Sequence, residues 1–250
     1  MTYLAFHLVF ILPPIALLAI RLRPRRRDLP SRASWSLPAM ALIALVYATP
    51  WDNHLVRTGV WSYGPDRVIG TIGYVPVEEY LFFLLQPFLT GLWLHLVLLR
   101  AGEVDETPPR RGLRVTGAAF WLVLAAFGLI AMRRPEGTYL GLILAWAAPV
   151  LAGLWGYAGG EIAARGRVFL AAVAVPTLYL WVADAIAIRL GIWHISEAKS
   201  TGMKVLGLPV EEAVFFLVTN LMVVQGSIAL LYPPGVMARR AAAPARTAAS

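Results

Sequence analysis

Seven apolar stretches, each about long enough to cross a bilayer, limit what this chain can fold into more than any other feature. They run over residues 3–20, 37–51, 77–99, 115–132, 139–157, 167–188 and 210–231, and the second is expected to extend to Leu55. A helix spanning the hydrocarbon core takes roughly 20 residues, within a range of about 17 to 25. Composition agrees with seven spans: 59% of residues are hydrophobic, 14% are charged and the mean hydropathy is +0.67. Soluble domains run nearer ~45–50% apolar and ~25% charged. The expected fold class is therefore an all-α membrane protein of about seven transmembrane helices. From Pro233 the chain reads "PPGVMARRAAAPARTAAS", a composition too poor in large apolar residues to build a core, and disorder is expected there.

The formal charge of +8 does not point to nucleic acid. Its arginines stand in short blocks beside apolar runs, the pattern that sets membrane topology. The first twenty residues, "MTYLAFHLVFILPPIALLAI", lack the basic start of a signal peptide, and the positive charges follow in "RLRPRRR". That order suits a retained helix with its amino terminus outside. With that orientation the inner segments, 21–32, 100–114, 165–167 and 239–246, hold 15 Lys and Arg against 7 in the outer ones. A multi-pass protein of the cell membrane, amino terminus outside and carboxyl terminus cytoplasmic, is the reading that follows. The chain has no cysteine, so disulfides and thiolate metal ligands are excluded.

An internal repeat organises the spans. A shift of 132 places Tyr47 on Tyr179, Asp52 on Asp184, Arg57 on Arg189, Gly59 on Gly191 and Trp61 on Trp193. A shift of 133 then places Pro76 on Pro209, Glu78 on Glu211, Glu79 on Glu212, and Phe82 and Phe83 on Phe215 and Phe216. Residues 1–100 and 135–232 are thus expected to be two three-helix repeats, joined by a spacer with a fourth helix over 101–134 and followed by the tail 233–250. An odd spacer helix restores direction, so the halves would run parallel about an axis along the membrane normal.

The repeat carries the same acidic pair twice, in "VPVEEYLFF" (75–83) and "LPVEEAVFF" (208–216). Proline is favoured at the first helical position, and acids suit the first turn, where the helix dipole favours negative charge by about 0.3–1 kcal/mol. End-capping is the plainer reading. Yet one acid suffices for a cap, and two adjacent like charges repel. Helical spacing sets each carboxylate over a phenylalanine, Glu78 over Phe82 and Glu79 over Phe83, and the stripe from Glu79 continues through Gln86, Thr90 and Trp93. Thr219 stands seven from Glu212 in the second half. Such stripes face a bundle interior, either for interhelical hydrogen bonds or as a cavity wall. In a dry site desolvation outweighs the dipole, and at least one carboxyl of each pair is then a neutral Brønsted acid.

Asp52 and Asp184 end the helices that precede these motifs, as caps, as ion-pair partners of Arg57 and Arg189, or as neighbours of the glutamates. Trp61 and Trp193, in two Gly-x-Trp elements, suit either interfacial anchors or aromatic faces that stabilise a cation by about 0.5–2 kcal/mol. His7, His54, His95 and His194 show no metal-ligand spacing, and no metal is expected. "GLWGYAGGE" (153–161) follows no strand of a βαβ unit, so close helix packing is expected rather than a dinucleotide site. The only lysines, Lys199 and Lys204, lie in a loop, which leaves none in the seventh helix for a retinal Schiff base.

Together, the twin "PVEE" motifs with their "FF", the "PWD" at Pro50 to Asp52 and the Gly-x-Trp elements resemble the small integral-membrane carotenoid cyclases. The resemblance covers residues 1–100 and 135–232 and corresponds to the fused, single-chain form of a two-subunit type. It implies conversion of lycopene, through γ-carotene, to β-carotene, without cofactor or net redox change, and an association with other carotenoid enzymes. It further implies Glu78 and Glu211 as catalytic acids, Glu79 and Glu212 as base or hydrogen-bond partner, Asp52 and Asp184 as polar support, and Phe82, Phe83, Phe215, Phe216, Trp61 and Trp193 around the cation. Formation of ε- or γ-rings, or action on a fifty-carbon carotenoid, is the alternative within the class. A proton-coupled transporter is the alternative outside it, since intramembrane acids and repeats also occur there.

Overall fold

The computed structural model describes residues 1–101 and 111–234. It contains seven helices long and apolar enough to cross a membrane: α1 (Tyr3–Asp28), α2 (Ala33–Arg57), α3 (Val77–Ala101), α4 (Arg111–Ala131), α5 (Thr138–Ala164), α6 (Gly166–Arg189) and α7 (Val210–Leu231). The apolar runs place all seven. Helices α1, α2 and α5 extend beyond those runs through more polar turns. The disorder expected for the tail falls, from residue 235 onward, outside the described residues.

Prolines interrupt these helices, as is tolerated in membranes when other groups take up the freed carbonyls. In α1 the residues ahead of Pro13 and Pro14 adopt a π-helical turn, His7–Ile11. Pro14 cannot donate to the carbonyl of Phe10, and the hydroxyl of Tyr179 on α6 donates to it instead, at 2.7 Å. Of the glycines in 153–161, Gly156 faces α4, where a Cβ would meet that of Ala118 at 3.9 Å, and Gly153 faces open space, with nothing within 4 Å of a Cβ. That stretch carries a break, with Ala158 out of helical geometry at φ −120° and ψ 15°.

Helices α3 and α7 form the centre. Each packs against helices on both sides of the sequence midpoint, α3 on α1, α2, α6 and α7, and α7 on α2, α5 and α6. A buried polar cluster joins them. Gln86 and Thr90 on α3 donate to Asn220 on α7 at 2.8 and 2.5 Å, and Asn220 donates to Thr177 on α6 at 3.0 Å. The stripe read from Glu79 is thus interhelical glue along its middle, and Trp93 continues it by donating to the carbonyl of Ala171. Helix α4 packs on α5 and otherwise exposes Phe120, Val123, Phe127 and Ile130, the face a helix in lipid presents.

Among the described residues, six short strands lie at one end. Helices α2 and α6 both stop at a glycine with positive φ, Gly59 at 67° and Gly191 at 64°. The next amides, of Val60 and Ile192, reach back to the carbonyls of Leu55 and Ala187 at 2.9 and 3.0 Å, which closes a Schellman cap. The chain then leaves as β1 (Trp61–Tyr63) and β4 (Trp193–Ile195), which pair antiparallel with Tyr63 opposite Trp193. The Gly-x-Trp elements are therefore a helix stop followed by a strand start. Two hairpins, β2 (Thr71–Ile72) with β3 (Val75–Pro76) and β5 (Lys204–Val205) with β6 (Leu208–Pro209), lead into α3 and α7. Pro76 and Pro209 fall one position earlier than expected. They end the hairpins, and Pro209 caps α7 in extended geometry, because the strand pairing runs up to the first turn.

Candidate active site

The two hairpins deliver the glutamate pairs to the same end of the bundle, and all four carboxyls are buried. Within each pair the two side chains take different directions. Glu78 turns toward its own loop and accepts from the backbone N–H of Ile69 at 2.9 Å. Glu211 does likewise, accepting from the N–H and hydroxyl of Thr201 at 2.6 and 2.7 Å. The second acids turn inward. Glu79 accepts from the hydroxyls of Tyr3 at 2.7 Å and Tyr63 at 3.1 Å, and Glu212 accepts from the hydroxyl of Tyr139 at 2.6 Å.

Glu79 and Glu212 line one cavity of ≈ 30 Å³, with Asp184 as a third acid. Aromatic rings make up most of its wall: Tyr3, Phe6, Trp61, Tyr63, Phe82, Trp193, Phe215 and Phe216. It has no lysine or arginine in its lining. Asp184 accepts from the indole N–H of Trp193 at 2.8 Å. Asp52 is 0% exposed and, among the described residues, neither of its oxygens has a hydrogen-bond partner. Neither aspartate forms an ion pair with Arg57 or Arg189. Both lie close enough to Glu79 and Glu212 to act on them electrostatically. Burial and the neighbouring Glu79 carboxyl push the Tyr63 phenol well above its ordinary pKa, so it stays an O–H donor.

Phe82 and Phe215 also wall a second, larger cavity of ≈ 510 Å³. It follows the inner face of α2 from Trp51, beside the acids, to Arg32 near the opposite end. That is about 28 Å at 1.5 Å of rise per residue. A ladder of stacked rings runs along its wall: Tyr47 on Trp146 at 5.2 Å, Trp146 on Trp51 at 4.5 Å and Trp51 on Phe215 at 5.7 Å. Phe83, Gln86 and Thr219 line the same space.

The structure thus gathers Glu79, Glu212, Asp184, Trp61, Trp193, Phe82, Phe215 and Phe216 about one small chamber, with Asp52 buried outside its lining. It sets Phe83 on the larger cavity, and Glu78 and Glu211 behind the chamber against the loops. Sequence reasoning missed the three tyrosines. Their signal was present: "TYL" opens both the first span and the fifth, at 2–4 and 138–140, and the two tyrosines meet the equivalent glutamates.

A helical membrane protein that buries a cluster of carboxyls inside an aromatic wall, with no lysine or arginine lining it among the described residues, holds proton donors and acceptors in an apolar space. The comparisons narrow that class. A lycopene cyclase sequence profile matches residues 1–97 and 136–226, and the chain belongs to that family. It is 43% identical over 227 residues to a lycopene beta-cyclase of Halobacterium salinarum, covering 91% of this chain and 94% of the relative. It is 38% identical over 240 residues to a bifunctional lycopene cyclase/phytoene synthase of Pyrenophora tritici-repentis, covering 91% of this chain and 40% of that protein. A protein of the same description from Sporisorium reilianum is 37% identical, and this chain spans 34% of its length. No solved structure matches the chain.

Proposed function

We propose that this chain is a lycopene beta-cyclase that converts lycopene through γ-carotene to β-carotene by acid–base chemistry in one chamber shared by its two halves. A neutral carboxyl protonates the terminal double bond of the linear polyene. The carbocation formed is attacked by a neighbouring double bond, which closes a six-membered ring. A carboxylate then removes a proton and restores a double bond, so the reaction is redox-neutral. Aromatic faces stabilise the passing cation, and a closed chamber keeps out the water that would trap it as an alcohol. Carboxyls crowded together without a cation cannot all carry charge, so the cluster supplies both an acid and a base.

The observation that carries this reading is that Glu79 and Glu212, from different helices, line a single ring-walled cavity. It revises the roles expected from the sequence. Glu79 and Glu212 become the acid and base, with Asp184 and Asp52 sharing their protons. Glu78 and Glu211 become positioning residues that fix the loops. The larger cavity would house the rest of the polyene, admitted from the bilayer, with its end passing Phe82 and Phe215 into the chamber. Two parallel three-helix repeats, 1–100 and 135–232, joined by the spacer 101–134, account for the paired acids. The fungal relatives, described as bifunctional lycopene cyclase/phytoene synthase, support an association with other carotenoid enzymes.

The test is pigment analysis. Expressed in a cell that makes lycopene, the chain should convert it to β-carotene with γ-carotene as intermediate, resolved by chromatography. Unchanged lycopene beside well-inserted protein refutes the proposal. A product with ε-rings refutes the ring type.

A further inference from the structure

At the end of the bundle opposite the acids, a crevice of ≈ 770 Å³ opens between α1, α2 and α3. Its two halves differ in chemistry. Deep in the crevice, Ile15, Leu37, Phe88 and Leu92 make an apolar wall. At its mouth stand Arg23, Arg26 and Arg27 with the hydroxyl of Ser34. Among the described residues, none of these three guanidinium groups has a carboxylate or carbonyl partner. The neighbouring Arg25, by contrast, pairs with Asp28 and donates to the carbonyl of Leu99. His95 lines the same crevice, is 3% exposed, and has no hydrogen-bond partner at its Nε2.

We propose that this crevice binds one anionic phospholipid, its phosphate held by Arg23, Arg26 and Arg27 and an acyl chain along Phe88 and Leu92. Three positive side chains with no internal partner match a phosphodiester, and the apolar floor matches a chain that a free anion lacks. Basic pockets between transmembrane helices at the membrane surface take lipid headgroups for the same reason. The turn 29–32, which reverses the chain from α1 into α2, lines the crevice through Leu29, Pro30 and Ser31 and would be stiffened by the bound headgroup.

The full-length chain, purified in a neutral detergent, tests this with three probes: dioleoylphosphatidylglycerol, dioleoylphosphatidylcholine and inorganic phosphate. Native mass spectrometry should show one phosphatidylglycerol retained, with at least about tenfold preference over phosphatidylcholine. The thermal midpoint should rise with phosphatidylglycerol and stay unchanged with phosphate. The triple variant Arg23→Gln, Arg26→Gln, Arg27→Gln should lose both effects, while Arg133→Gln, Arg134→Gln, at the other end of the molecule, keeps them. Ala19→Trp, which narrows the crevice without touching its charge, should weaken retention as well, and it serves if the triple variant fails to fold. Equal retention of the two lipids, or unaltered retention by these variants, overturns the proposal. A midpoint shift reproduced by phosphate alone would show a small-anion site and overturn the lipid assignment.

Discussion

Adjacent residues on a helix point about 100° apart, so two neighbouring glutamates cannot serve the same partner. That geometry divides the labour in each pair. Glu78 and Glu211 are committed to loop amides, and Glu79 and Glu212 are left to the chamber. Glu79→Gln and Glu212→Gln should therefore each lower cyclisation by about 10²-fold or more, the usual range for a lost general acid or base. Glu78→Gln and Glu211→Gln retain an oxygen to accept the loop N–H and should lose less than about tenfold. Pigment yield per inserted protein measures both. Equal losses across the four variants would contradict this division. The tyrosines supply a second comparison. Tyr139 is the hydroxyl donor to Glu212 at 2.6 Å, while Glu79 has two hydroxyl donors, Tyr3 and Tyr63. Tyr139→Phe should then cost more activity than Tyr3→Phe, with Tyr3→Phe, Tyr63→Phe together matching it. A hydrogen bond to an ionisable group contributes about 1.5–3 kcal/mol, so the full loss should be of order tenfold to a hundredfold.

The helices were legible because an apolar run of this length has few other solutions, and α3 and α7 begin where the proline–glutamate motifs placed them, within a residue. The strands were not legible. Strands of two or three residues are too short to show alternation, and β1 finds its partner more than 120 residues away. Trp61 and Trp193 were read as candidate ring faces, but the pairing that seats them beside the acids needed the fold. The turn glycines carry a stability test at this scale. Gly59→Ala and Gly191→Ala meet little steric obstruction, since a Cβ would lie 4.0 Å from Lys199 Nζ in one case and 3.5 Å from the His194 ring in the other. Each should cost about 1–2 kcal/mol through its left-handed backbone alone. Gly73→Ala adds a clash, because a Cβ there would stand 2.5 Å from Oδ1 of Asn53. That oxygen accepts from the N–H of Tyr74 at 2.9 Å and ties the β2–β3 hairpin to α2. Thermal unfolding in detergent should rank Gly73→Ala below the other two. Comparable midpoints for all three would mean the hairpin yields without cost.

At the scale of the molecule, the two ends differ in chemistry. One gathers the acids, the tyrosines and the strands, and the other carries the arginine block of α1 and the Arg114–Glu161 ion pair at 3.0 Å. The acids were legible as a repeated motif, but their convergence on one chamber depends on α3 and α7 packing at the centre of the bundle, which no local pattern encodes. From the excess of positive charge at the arginine end, that end is expected to face the cytoplasm and the chamber to lie toward the outer surface. The chain has no cysteine, so single introduced thiols report this orientation without background. Leu206, 95% exposed in the turn between β5 and β6, marks the acid end, and Ser31, exposed between α1 and α2, marks the other. In intact cells a membrane-impermeant maleimide should label Leu206→Cys at once and Ser31→Cys only after permeabilisation. Asp66, exposed after β1 at the same end, gives an independent reading from the first half of the chain as Asp66→Cys. Labelling of Ser31→Cys in intact cells, with Leu206→Cys and Asp66→Cys protected, would invert the topology. It would place the chamber at the cytoplasmic surface and the arginine crevice in the outer leaflet, against the charge bias from which the orientation is argued.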